Sequence, residues 1–259
     1  MASVKEIIKH VSNHSMKAQI DVHQQLNAWL DYMIEYFDVE QYLTPYGWSN
    51  MQDAKYKESP ELFSATAMWM QLVADSVEER KSQDVLGSVY EELFQSKTKS
   101  SSLGQFFTPT SVCDMMARVV GVGDCKLVND CACGSGRTLI AHYMECIREE
   151  RPTNSYYVAE DIDVTSIKMC ALNMMMYGMR GRVVHHDTLT QPVSFDFGFE
   201  INEVRYPLPT PFYSLRRISL TDSEKKEHKR PKSENEVLKP KQAQTASIPD
   251  KDGQYSLFF

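Results

Sequence analysis

Two patterns predict an α/β fold, a parallel doubly wound sheet preceded by a helical region. Apolar residues recur at helical spacing through the first hundred residues, and short strands alternate with helices from residue 126 onward. A third observation, glycine and carboxylate turns directly after those strands, marks the end of the sheet where ligands bind.

The elements follow in order. Ile7, Ile8 and Val11, then Leu26, Leu30, Met33, Ile34 and Phe37, predict two helices within residues 4–42. Turn residues interrupt the pattern over 44–60, and it resumes over 61–77 and 85–94, so residues 1–97 read as a helical N-terminal region. Residues 97–104, a Lys/Ser/Thr run ending in Gly104, read as a linker, and the sheet domain is expected over 105–220. Thr108 is placed to cap a helix whose first residue is Pro109 and whose apolar face is Val112, Met115, Met116, Val119 and Val120. Strands are predicted at 126–130, 156–161 and 183–187, the first two followed by helices at 138–149 and 164–177. Residues 193–201 alternate Val193, Phe195, Phe197, Phe199 and Ile201 with polar or small residues, the period of a strand with one wet face. Residues 221–253 hold almost no large apolar side chain and read as a disordered tail, after which 254–259 turn apolar again.

Composition narrows the function. No stretch reaches the length of a membrane-spanning helix and the N-terminus has no signal-peptide pattern, so a cytoplasmic protein is expected. The net charge of −7 is uneven: residues 205–259 hold 11 Lys/Arg against 7 Asp/Glu, leaving 17 against 28 in residues 1–204. Attraction to phosphate is therefore expected only from the C-terminal stretch, where the basic run 225–232 lies. Cysteines 113, 125, 131, 133, 146 and 170 form neither a disulfide framework nor a CxxC zinc pattern, so no metal site is predicted. The seven histidines compose no acid–base set, and Met169, Met174, Met175, Met176 and Met179 read as core.

The chemistry concentrates in three turns. Asp130-Cys131-Ala132-Cys133-Gly134-Ser135-Gly136-Arg137 follows the first strand; its glycines permit positive φ and close backbone approach, and the next helix points free N–H groups at whatever binds. Glu160, Asp161 and Asp163 end the second strand, with carboxylates that can accept from ribose hydroxyls or simply favour a helix N-terminus. Asp187 ends the third strand, within His185-His186-Asp187-Thr188-Leu189, and can accept from an adenine amino group.

Taken in order, these segments resemble the N6-adenine DNA methyltransferase family typified by the modification subunit of type I restriction systems. Asp84 to Glu91 (Asp-Val-Leu-Gly-Ser-Val-Tyr-Glu) and Gly104-Gln105-Phe106-Phe107-Thr108-Pro109 look like that family's entry into its catalytic domain. Asp130 to Gly136 looks like its Asp-Pro-Ala-Cys-Gly-Ser-Gly loop, with Cys131 in place of proline and Arg137 in place of a further glycine. Ala159 to Asp163, Asn173, Gly178 and Asp187-Thr188-Leu189 also match, with His186 where glycine is usual. The resemblance covers about residues 84–190 and implies an incomplete Rossmann-like sheet that binds S-adenosylmethionine. By it, Gln105, Phe106, Phe107, Thr108, Pro109 and Thr110 close over the cofactor. Asp130, Gly134, Ser135, Gly136 and Arg137 surround its methionine part, Asp161 holds its ribose, and Asp187 faces its adenine.

Transfer to adenine N6 also needs a loop that holds a flipped base, which the family builds as Asn or Asp, Pro, Pro and an aromatic residue. That tetrad is absent; the candidates are Asn202-Glu203-Val204-Arg205 and Pro209-Thr210-Pro211-Phe212, with Asn202 and Phe212 their chemistry-bearing members. Little after residue 220 has the composition to fold, so the sheet is expected to keep an open edge. The resemblance implies DNA as partner and a second subunit that completes the sheet or reads the target. The alternative is a catalytically inactive interaction protein recruited to the replication sliding clamp. For that reading, Gln254-Tyr255-Ser256-Leu257-Phe258 resembles the bacterial clamp-binding pentapeptide, with Gln254, Leu257 and Phe258 matching and Tyr255 departing.

Overall fold

Helix starts are written into the chain as caps. Ser3, Asp21, Ser59 and Asp163 each accept a backbone N–H of the first turn, from Glu6, His23, Leu62 and Ser166 respectively. In a computed structural model, which describes residues 2–38, 59–95, 107–122, 126–189, 195, 197–203 and 213–219, three of these caps open helices of the N-terminal region: α1 (Val4–Ala18), α2 (Val22–Phe37) and α3 (Pro60–Glu78). Then come α4 (Val85–Gln95) and α5 (Thr110–Val120). The helix expected to begin at Pro109 begins one residue later, with Pro109 as its cap position and no side chain capping it.

The sheet elements are β1 (Leu127–Asp130), α6 (Arg137–Arg148), β2 (Tyr156–Asp161), α7 (Val164–Met176), β3 (Arg180–His185), β4 (Phe197–Ile201) and β5 (Leu215–Ser219). The strands lie in the order β1-β2-β3-β4-β5. The first three are parallel, joined through α6 and α7, which gives one half of a doubly wound sheet. β4 and β5 are antiparallel additions beside β3, a direction that the alternating pattern of residues 193–201 does not encode. β3 starts three residues before its predicted position because Gly181 belongs to it. A Cβ there would lie 2.0 Å from the Tyr157 carbonyl oxygen of β2, so only glycine fits.

One continuous core runs from Ile7 and Trp29 of the N-terminal helices through Trp69, Leu86 and Met174 to Val183 and Leu215 of the sheet. α7 lies at its centre: Ile167, Met169, Leu172, Met174 and Met175 are fully buried, so the methionine run is packing. Trp29 Nε1 donates to Thr66 Oγ1 at 2.9 Å, which satisfies the indole inside this core. Among the described residues no helix is long and apolar enough to cross a membrane.

Candidate cofactor site

Parallel pairing brings the C-terminal ends of β1, β2 and β3 to one rim, with Asp130 beside Ala159 and Asp161 beside His185. The turn after β1 is shaped by Gly134 at φ +53° and Gly136 at φ +86°. Gly136 sits on α7 so closely that a Cβ would lie 2.9 Å from the Cys170 sulfur. α6 then starts without a side-chain cap, so its first N–H groups face the rim.

The three acidic ends differ in what they hold. Asp130 accepts from the Ala132 amide at 3.1 Å and from Thr138 Oγ1; burial pushes its carboxyl above the usual range, and these two bonds offset part of the shift. Asp161 accepts from the amides of Gly134 and Asp163, each at 2.8 Å, and so fixes the glycine turn against β2. Asp187 accepts from the Leu189 amide at 3.1 Å, and Thr188 Oγ1 donates to the Cys131 carbonyl at 3.3 Å, tying the third turn to the first. Burial raises the Cys133 thiol well above its ordinary pKa, so it stays neutral.

Ser135 and Arg137 turn their side chains inward, so the turn presents backbone to the rim. Both reach Asp84, just ahead of α4 and 1% exposed. Its carboxylate accepts from Ser135 Oγ, from Arg137 Nε at 3.1 Å, from Asn173 Nδ2 at 2.8 Å and from the Gly87 amide at 2.8 Å. Arg137 also donates to Glu91 Oε2 and to the Thr108 carbonyl, each at 3.0 Å, and lies over the Phe107 ring. Burial works against this cation, but the charges of Asp84 and Glu91 outweigh it and hold its pKa above the ordinary arginine value. The Phe107 ring in turn covers Gly134, where a Cβ would lie 2.9 Å from it. Phe107, Thr108, Pro109 and Thr110 are thus held beside the turn by the arginine that replaces the expected glycine; Gln105 and Phe106 lie outside the described residues.

Two arrangements of residues in these turns were not read from the sequence. His186 Nδ1 lies 2.8 Å from Glu160 Oε2, pairing the ends of β2 and β3. Ile162 and Leu189, 63% and 93% exposed, stand as apolar residues beside the carboxylates of the second and third turns. A large apolar residue between Asp161 and Asp163 was the available signal. Asn202, by contrast, is at the opposite end of the sheet, because β4 runs antiparallel. Its Nδ2 donates to the carbonyls of Met175 and Met179 at 3.1 and 2.9 Å and its Oδ1 accepts the Ser214 amide at 3.0 Å, so its polar atoms brace loops away from the rim. Phe212 and the tail residues Gln254, Leu257 and Phe258 lie outside the described residues.

Half of a doubly wound sheet preceded by helices, with a glycine turn and three carboxylates at its rim, defines a Rossmann-like type of α/β protein. More specifically, the N-6 DNA Methylase family matches residues 81–247, more than half of the chain, and the chain belongs to that family. It is 30% identical over 119 residues to the Type I restriction enzyme MpnII methylase subunit of Mycoplasma pneumoniae, covering 43% of this chain and 22% of that protein. It is also 30% identical over 129 residues to the Type II methyltransferase M.MamI of Microbacterium ammoniaphilum, covering 42% and 35%. The Type I restriction enzyme MjaVIII methylase subunit of Methanocaldococcus jannaschii is 30% identical over 125 residues, covering 46% and 21%. The chain therefore spans between a fifth and about a third of the length of these relatives. A crystal structure of the type I restriction-modification system methyltransferase subunit from Streptococcus thermophilus aligns at 21% identity with a TM-score of 0.33, over 75% of this chain and 42% of that one.

Proposed function

We propose that this chain binds S-adenosylmethionine at the turn from Asp130 to Arg137 and takes part in adenine N6 methylation of DNA in a restriction-modification setting. The observation that carries the reading is the convergence of Asp130, Asp161 and Asp187 on one rim, around a turn whose glycines keep the backbone open. The residues present suit such a ligand: carboxylates for ribose hydroxyls and an adenine amino group, exposed Ile162 and Leu189 for the purine faces, and uncapped N–H groups of α6 for a carboxylate. When bound, the cofactor supplies a sulfonium methyl group for transfer.

Among the described residues no Asn-Pro-Pro-aromatic segment adjoins the turn, and Asn202 is committed elsewhere. The proposed role of the described residues is therefore donor binding, with base holding and target reading assigned outside them.

Isothermal titration with S-adenosylmethionine and with S-adenosylhomocysteine tests the binding. Heat with at least one of them is expected, and Asp187→Ala should weaken it about tenfold through one lost hydrogen bond to a charged acceptor. No heat with either compound would sink the reading.

A further inference from the structure

The ladder between β2 and β3 ends at the pair Asp161 and His185. Beyond it, two neighbouring histidines carry hydrogen bonds on across the rim. The His186 amide donates to the Asp161 carbonyl at 2.9 Å, His186 Nδ1 lies 2.8 Å from Glu160 Oε2, and His185 Nε2 lies 2.8 Å from the Ile162 carbonyl oxygen. Residues 160, 161 and 162 thus each accept from the pair. Carboxylate and carbonyl oxygens have no proton to give, so His185 carries its hydrogen on Nε2 and His186 on Nδ1. The two rings work through opposite nitrogens. Phe197, which pairs with His185 across β3 and β4, stacks on its ring at 5.2 Å and 19° and keeps it in plane. The other side of the same turn leans on the glycine turn: the Cys133 amide donates to the Glu160 carbonyl at 2.9 Å, and the Gly134 amide to the Asp161 carboxylate at 2.8 Å.

We infer that His185 and His186 are positioning residues for the adenosine half of the cofactor, an inference that rests on the S-adenosylmethionine reading above. They act through the turn, by fixing the backbone of residues 160–162. That backbone sets the place of the Asp161 carboxylate, the acceptor for ribose hydroxyls, and of Ile162, 63% exposed, the apolar surface for the purine. A turn ordered only by its ligand loses conformational freedom on binding, whereas a turn ordered beforehand does not, and the difference appears as affinity. His186 is the better sheltered of the two, with 8% of its side chain exposed, and its bond is to a carboxylate, so it carries the larger share.

Two measurements test this. Heteronuclear NMR of the imidazole nitrogens in the ligand-free protein should find a hydrogen on Nε2 of His185 and on Nδ1 of His186; a bare nitrogen at either place overturns the inference whatever the protein binds. The second uses the fact that asparagine puts its amide nitrogen near the place of a histidine Nδ1, and glutamine near that of Nε2. In isothermal titration with S-adenosylhomocysteine, His186→Gln should raise Kd about tenfold and His185→Asn about fivefold, the loss of one hydrogen bond in each case. The opposite amides, His186→Asn and His185→Gln, should bring Kd back to within about twofold of the parent. The same factors should appear with methylthioadenosine, which has the adenosine half and no amino acid part. A parent that binds while all four variants match it, losses indifferent to which amide is used, or losses confined to S-adenosylhomocysteine each overturn the inference and leave the cofactor reading standing. A parent that binds neither compound defeats the reading, and the inference with it.

Discussion

Replacing Asp84 by asparagine keeps the shape of the side chain and removes its charge, which isolates what the carboxylate does. Asp84 is fully buried at its side chain and Arg137 is 8% exposed, so neither charge can turn to water when the other is lost. The amide can still accept from Gly87 and Asn173 through one oxygen, but its NH2 then faces Ser135 Oγ and Arg137 Nε, both of which donate at present. Breaking a buried pair from one side costs about 3–5 kcal/mol. Glu91, 3.0 Å from Arg137 and 28% exposed, remains as a partner and places Asp84→Asn near the lower end, about 3 kcal/mol. For a chain of this size that corresponds to a fall in Tm of roughly 6–12 °C. Urea unfolding at pH 7 measures it directly, and the double variant with Arg137→Met should recover at least about 2 kcal/mol relative to the sum of the single changes. A loss below about 1 kcal/mol for Asp84→Asn, or strict additivity in the double variant, would refute the assignment of Asp84 as the anchor of the turn.

Three further outcomes follow from single sites. Asp130 has a raised carboxyl pKa, so the stability it adds is complete below its unfolded value near about 3.9 and is lost as pH rises through the folded value; at neutral pH its charge is a burden. Asp130→Asn should therefore equal or exceed the parent in calorimetric stability at pH 7, with the advantage vanishing as pH falls towards about 4; a clear loss at pH 7 contradicts it. His142 is depressed by burial, so the stability it contributes is present above its unfolded value near about 6.5 and is lost as pH falls. The urea midpoint of the parent should drop more steeply between about pH 6.5 and 5 than that of His142→Gln, and parallel curves would show that another group governs the slope. Gly181→Ala drives a methyl group into the backbone of β2, and an insoluble protein or a loss above about 3 kcal/mol is expected; a soluble protein with parental Tm would contradict the packing described.

How much of this was legible in the sequence depended on the range of the interaction involved. Helix α7 and its start at Val164 follow from Asp163 as a cap and from the apolar run behind it, both local signals. The three-turn rim was equally legible, because each carboxylate directly follows its own strand. β3 was read as starting three residues too late since Arg180-Gly181-Arg182 has the texture of a turn, and the reason for its glycine lies in Tyr157, on a neighbouring strand. The antiparallel direction of β4 left no trace in a period of two. Arg137 was noticed only as a departure from an expected glycine; its role depends on Asp84 and Glu91, 53 and 46 residues away, which no local pattern connects.

Arg137 also decides what can be taken apart. The rim that would hold a nucleotide and the helices of the first hundred residues share one buried guanidinium, two of whose partners, Asp84 and Glu91, belong to the N-terminal region. A fragment starting at residue 98 would keep the glycine turn but strand a buried cation with a carbonyl oxygen as its remaining partner among these contacts. Opening of α4 and opening of the turn should therefore be a single event in native-state hydrogen exchange, and a ligand gripping the turn would slow exchange in α4 by the same factor. In this chain the helical region acts as the keystone of the rim rather than as a detachable module.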